Sequence, residues 1–182
     1  MKSIYIFLVK SDTILSKIVH WITNDTYTHV SISFDKSLQT LYSSSRKNGR
    51  TLFPAGPCRE YLCKGYYKQH SKIPCAVYEL QVSDEAYEKT KLEVERIMTD
   101  ADKYHYNIIG LLLCQFNISY HRKHYFFCSQ FVSEMLRRSQ AVFFPKDTSL
   151  IKPSDYMHLP ELRCCFCGCL NELAEQKRLA KW

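Results

Sequence analysis

The chain has 182 residues, a formal net charge of +7, 46% apolar residues and only 5 glycines. A chain of this size can bury a core without metal or disulfide staples, and its apolar share excludes a long disordered region. The charge permits an anionic partner such as nucleic acid, a membrane surface or an acidic polymer, and selects none of them. Ser3 to Lys10 carries Ile, Tyr, Ile, Phe, Leu and Val in succession and reads as a buried first strand. Ser11-Asp12 is an N-cap signal, and Ile14, Leu15, Ile18, Val19 and Ile22 recur at helical spacing, so Asp12 to Thr23 reads as an amphipathic helix broken at Asn24-Asp25. Tyr27 to Phe34 is β-branched and reads as a strand, with His29 near its start. After the turn at Asp35-Lys36-Ser37, Leu38 to Ser44 reads as its antiparallel return.

Arg46 to Gly65 holds Gly49, Pro54, Gly56 and Pro57 and reads as a long irregular loop of functional length. Ala76 to Val82 alternates like a strand, and Ser83-Asp84 opens a helix running to about Asp100. Asn107 to Phe116 is a second apolar segment of helical length. Phe126 leads into Cys128, and Ser129 to Ser139 reads as a helix burying Phe131, Val132, Met135 and Leu136. Lys152-Pro153-Ser154-Asp155 enters a short helix, and residues 171–182 form a charged helical tail. No repeat or low-complexity linker divides the chain, so 1–182 reads as one domain.

No stretch reaches the roughly 18 apolar residues of a spanning helix. The N-terminal apolar run is too short for a signal peptide and lacks a small-residue cleavage site. A soluble, cytoplasmic protein is expected. Its 9 cysteines are an odd count, which argues against a fully paired disulfide framework and for free thiols, most of them small buried side chains. Cys164-Cys165-Phe166-Cys167-Gly168-Cys169 contains one C-x2-C pair without a matching second pair, so free or partly buried thiols are favoured over metal binding or acylation. No metal or organic cofactor is implied. The basic run His121-Arg122-Lys123-His124 reads as a solvated loop, or as a cleft wall that favours an anionic substrate. The 13 tyrosines and 10 phenylalanines read as core, and no nucleic-acid motif accompanies them.

Cys128 stands apart from the other thiols. Two aromatic residues precede it and an amphipathic helix begins at it. A helix N-terminus presents free N–H groups and partial positive charge, which favour a thiolate and can hold the oxyanion of a tetrahedral intermediate. Thiol acyl chemistry also needs a base. Among the histidines, His29 is best placed, because a strand fixes an imidazole in orientation.

Tyr27 to Ser33 (YTHVSIS), followed far downstream by Phe126 to Leu136 (FFCSQFVSEML), resembles the circularly permuted NlpC-type branch of the papain-like superfamily, which includes lecithin retinol acyltransferase-like enzymes and many bacterial proteins. The segments ILSKIVHWIT and KPSDY are similar to that branch too, so the resemblance spans roughly residues 3–160. It implies an α+β fold, a small antiparallel sheet packed by helices, with Cys128 as nucleophile and His29 as general base. It also implies a polar third residue on the strand after the His strand. There the sequence offers no carboxylate, amide or imidazole, and Ser43 is the candidate for orienting His29. Ser129, Tyr104 and Tyr106 are candidates for the oxyanion site and cleft. The expected function is a cysteine peptidase or amidase acting on a peptide-like amide, an ester or a thioester. The alternatives are a lipid acyltransferase on the same fold, with peripheral membrane contact, and a non-catalytic binding module.

Overall fold

The computed structural model describes residues 1–11, 25–46 and 55–179. The helix expected over Asp12 to Thr23 lies outside the described residues. The protein is mixed α+β and is built on a six-stranded antiparallel sheet of β1 (Lys2–Val9), β2 (His29–Ser33), β3 (Leu41–Arg46), β4 (Ala55–Glu60), β5 (Pro74–Val82) and β8 (Leu162–Cys169). The strand order is β4-β3-β2-β1-β5-β8. A separate parallel pair joins β6 (His105–Tyr106) to β7 (Tyr125–Phe126). The helices are α1 (Gly65–Gln69), α2 (Asp84–Thr99), α3 (Ile108–Gln115), α4 (Cys128–Arg138) and α5 (Leu170–Leu179). Among the described residues no helix is long and apolar enough to cross a membrane.

The continuous apolar run of β1 follows from its central place, because a strand covered on both faces has no solvent side to alternate toward. Ile4, Ile6 and Leu8 face a core shared with Val30 and Ile32 of β2, Ile97 of α2, and Phe131, Val132 and Met135 of α4. Tyr5, Phe7 and Val9 face a smaller core with Leu41, Tyr67 of α1, and Leu170 and Leu173 of α5. The amphipathic pattern of α4 thus packs it against the strand that begins at His29. Phe131 is fully buried, and truncating such a side chain to Ala costs about 3–5 kcal/mol.

The segment read as an irregular loop from Arg46 to Gly65 contains a strand and is followed by a short helix. Residues 47–54 fall outside the described residues, but Ala55–Glu60 pairs along all of β3, from Arg46↔Ala55 to Leu41↔Glu60. The strand is hidden in sequence by Gly56 and Pro57. Both are tolerated because β4 is the sheet edge, where a missing N–H breaks no inner ladder. Gly56 has a further reason. A Cβ there would lie 2.8 Å from the Tyr104 carbonyl oxygen, so β4 can approach β6 only with glycine at this position.

Candidate active site

Two elements begin at the site. His29 is the first residue of β2 and Cys128 is the first residue of α4. Because α4 packs on Val30 and Ile32, its N-terminus comes to the end of the sheet where β2 starts, and the Cys128 thiol interacts with the His29 imidazole. Both side chains are buried: Cys128 is 3% exposed and His29 9%. The residue at the α4 N-cap is Phe127, which provides no side-chain cap, and the first turn holds no acidic residue. The first-turn N–H groups therefore keep their capacity to bind negative charge.

The second partner of His29 is Glu60, the last residue of β4. His29 Nε2 lies 3.1 Å from Glu60 Oε1 and 3.2 Å from Oε2. With Nε2 engaged there, Nδ1 is the ring nitrogen left for the thiol. The carboxylate also accepts hydrogen bonds from Ser31 at 2.8 Å, Ser43 at 2.9 Å, Ser45 at 2.8 Å and the Tyr67 hydroxyl at 3.0 Å. Such a set satisfies a buried carboxylate, which alone would be strongly disfavoured. Burial works against charge on both members, yet the mutual attraction outweighs it. Glu60 is held well below the usual carboxylate range by His29 and the hydroxyl donors despite its burial. Despite desolvation, His29 is raised well above its usual range by Glu60 and by Cys128. His29 is thus held as an imidazolium between the Glu60 carboxylate and the Cys128 sulfur.

The expected site residues distribute as follows. Cys128 and His29 come together. Ser43 stands one step removed: its hydroxyl donates to Glu60, which in turn contacts His29. Tyr106 lies beside Cys128, its hydroxyl interacting with both the thiol and the backbone amide of that residue. Burial first, and the Cys128 sulfur next, push this phenol well above its usual range, so it stays a proton donor. Tyr104 points elsewhere: its ring packs on Phe126 and His124 and its hydroxyl interacts with Arg96. Ser129 is 1% exposed and lies in a crevice next to Cys128, with its carbonyl held by the Tyr156 hydroxyl at 3.0 Å.

Glu60 is the residue that the sequence reading missed. The signal was present on the neighbouring strands. Ser31, Ser33, Ser43 and Ser45 alternate along β2 and β3 and so line one face with hydroxyls, three of which donate to Glu60. A buried face lined with donors requires an acceptor.

The other sequence features lie apart from this centre. His121 pairs with Asp147 at 2.7 Å, and Arg122 stacks over Tyr125. The Cys164–Cys169 cluster forms the edge strand β8, with Cys164, Cys165 and Cys167 exposed. Among the described residues no group of three or more His, Cys, Asp or Glu side chains is placed to hold a metal ion.

The arrangement has the parts of a nucleophile, a proton carrier and an orienting carboxylate, with N–H groups and a phenol beside the nucleophile. Comparison with models of known families and with curated proteins found no match to this chain.

Proposed function

We propose that this chain is a cysteine hydrolase with a papain-like, permuted NlpC-type architecture, acting on an amide, ester or thioester carbonyl. The observation that carries the proposal is the contact chain Cys128–His29–Glu60, assembled at the starts of α4 and β2 and the end of β4. Cys128 attacks the carbonyl carbon as the thiolate, its proton having passed to His29 to give the imidazolium; a C–S bond forms, and the carbonyl π pair moves to oxygen. The α4 N–H groups and the Tyr106 hydroxyl stabilise that oxyanion. Collapse breaks the bond to the leaving group, which takes a proton from the His29 imidazolium. A water then attacks the thioester and gives its proton to His29. The C–S bond breaks, and the carboxylic acid leaves with the thiolate restored. Attack by an amine or alcohol in place of water gives a transferase.

Glu60 weighs against a non-catalytic binding module, because a site kept only for binding has no need of a carboxylate buried against the imidazole. The acyltransferase reading draws on α3, where Ile109 and Leu112, with Phe116 at the C-cap, are exposed apolar side chains that offer a peripheral membrane contact.

The test uses p-nitrophenyl acetate as an activated acyl donor, with peptide mapping of the acetyl group. The proposal requires transient acetylation of Cys128 that turns over in the native protein and is lost in His29→Ala. Acetylation spread over the exposed thiols, with none at Cys128, would sink it.

A further inference from the structure

The helix α3 is apolar up to its last residue, Gln115, yet it lies at the surface. Gly110, Leu111 and Cys114 are buried, and Leu111 and Cys114 pack with Tyr106 and Phe127. Ile109 and Leu112 lie outside that packing. They are three residues apart and so neighbours on the helix surface, with Phe116 four residues further on. These side chains are 53%, 39% and 69% exposed. A surface helix ordinarily turns polar side chains outward, and one that is apolar all round is ordinarily covered.

The end of the helix extends the patch. Asn117 has a φ of 59°, its N–H donates to Cys114 O at 3.1 Å, and the Ile118 N–H donates to Leu113 O at 3.0 Å. These two bonds make a Schellman turn, which folds the chain back over the last turn of the helix. Ile118, 51% exposed, is thereby returned to the end of the apolar stripe.

Charge singles out one kind of cover. Between Asp102 and Glu134, a stretch that contains all of α3, the sequence has no acidic residue. Arg122 and Lys123 follow closely on Ile118 and are exposed. The Arg122 guanidinium lies 3.8 Å from the centre of the Tyr125 ring, which holds the cation in place without neutralising it. Asp147, the acidic group that this run meets, is engaged by His121 at 2.7 Å and by Ser149. A specific protein interface fixes its register with hydrogen bonds, and the stripe of Ile109, Leu112, Phe116 and Ile118 has no polar side chain to do so. A second copy of this chain would bring further cations to the border instead of anions. A fluid lipid surface needs no register and supplies the anions.

We propose that the outer side of α3, with Ile118, Arg122 and Lys123, docks on an anionic phospholipid surface. The apolar side chains enter the boundary between headgroups and acyl chains, and the two cations meet the headgroup phosphates. The inner side of the same helix packs with Tyr106 and Phe127, so docking sets the nucleophile one helix diameter, ~10 Å, from the headgroups. This rests on the membrane contact of the acyltransferase reading and names its lipid class; it does not draw on the reactivity of Cys128.

Co-sedimentation of the full chain with vesicles tests the surface. One set of vesicles is phosphatidylcholine alone, and the other is phosphatidylcholine with phosphatidylglycerol. The native protein should partition into the anionic set about 25-fold more strongly, about fivefold for each of the two cations, and high salt should remove most of that advantage. Arg122→Gln with Lys123→Gln should abolish the preference for phosphatidylglycerol. Ile109→Ser with Phe116→Ser should lower partitioning into the anionic vesicles about 30-fold. All four positions are exposed, and the charge pair keeps the test open if the apolar pair does not fold.

Equal partitioning into both sets, or native-strength binding by Ile109→Ser with Phe116→Ser, overturns the docking surface. So does a native dimer in gel filtration that the same variant converts to a monomer, because the stripe is then a contact between copies. Sedimentation needs no turnover. A protein that binds the anionic vesicles but never acetylates Cys128 refutes the hydrolase reading and leaves this surface standing. A protein that acetylates Cys128 and ignores the vesicles does the reverse.

Discussion

Glu60 Oε1 sits 3.1 Å from His29 Nε2, and both side chains are largely withdrawn from solvent, at 14% and 11% exposure. A buried pair of this kind is costly to break, because removing one partner leaves the other charge uncompensated. It also favours the protonated imidazole of His29, the group that faces the Cys128 sulfur.

Glu60→Gln tests that coupling. The amide keeps the shape and one acceptor oxygen, its NH2 replaces the other so that the hydroxyls facing it must turn to accept, and the charge that raises His29 is removed. The His29 imidazole should then titrate at lower pH, toward its ordinary 6.5, and esterase turnover should fall by about 10²–10⁴-fold, the usual range for a disabled acid–base group. An NMR titration of the His29 ring, read with the steady-state rate, checks both. A His29 titration unchanged in Glu60→Gln would show that the contact has no electrostatic consequence.

The same pair sets a pH dependence of stability. His29 is raised from 6.5 to about 10, so its contribution is complete below 6.5 and is lost as pH rises through the folded value. Glu60 is lowered from 4.5 to about 2, so its contribution is complete above 4.5 and is lost as pH falls through the folded value. The pair therefore stabilises most between 4.5 and 6.5. Urea midpoints should decline from 6.5 toward 10 in the native protein. They should decline less in Glu60→Gln, once other titrations common to both proteins are subtracted.

Tyr106→Phe removes the phenol beside Cys128 and leaves the ring that packs with Leu111 and Phe127. If the hydroxyl helps hold the oxyanion, kcat for p-nitrophenyl acetate should drop by about 10²-fold with little change in KM, as for the loss of one oxyanion donor. Alkylation of Cys128 develops no oxyanion and should change far less. Equal losses in both assays would assign Tyr106 to packing instead.

Gly56→Ala probes the scaffold. Its Cβ would stand 2.8 Å from a backbone oxygen of Tyr104, a neighbour that cannot swing aside. The substitution should cost about 1–3 kcal/mol and lower turnover as well, because β4 carries Glu60 and β6 carries Tyr106. Urea denaturation and the esterase rate, measured on the same preparation, report the two effects.

Hydrophobic pattern and capping signals carried most of the architecture. The unbroken apolar run of β1, the Ser83 cap that opens α2 and the amphipathic face of α4 each read as the elements they form, because each buries its side chains in a way that periodicity records. The nucleophile and its histidine were legible for a related reason: both begin elements, and an element boundary leaves a mark in sequence. Glu60 was not legible. It lies on an edge strand whose glycine and proline mimic a loop, and it meets His29 only through pairing across β3, a tertiary fact that local pattern does not encode. Ser43 was noticed at the right place in the sheet but for a different contact, since its hydroxyl supports the carboxylate.

The most direct test is a site-resolved comparison of iodoacetamide labelling rates for all 9 cysteines in the native protein, in His29→Ala and in Glu60→Gln. Access alone would make the exposed Cys63, Cys164, Cys165 and Cys167 react first and leave Cys128, only 3% exposed, among the last. The account predicts the opposite order: Cys128 labels fastest in the native protein, loses that lead in His29→Ala, and loses part of it in Glu60→Gln. A Cys128 that labels no faster than the exposed thiols, or keeps its lead without His29, would contradict it.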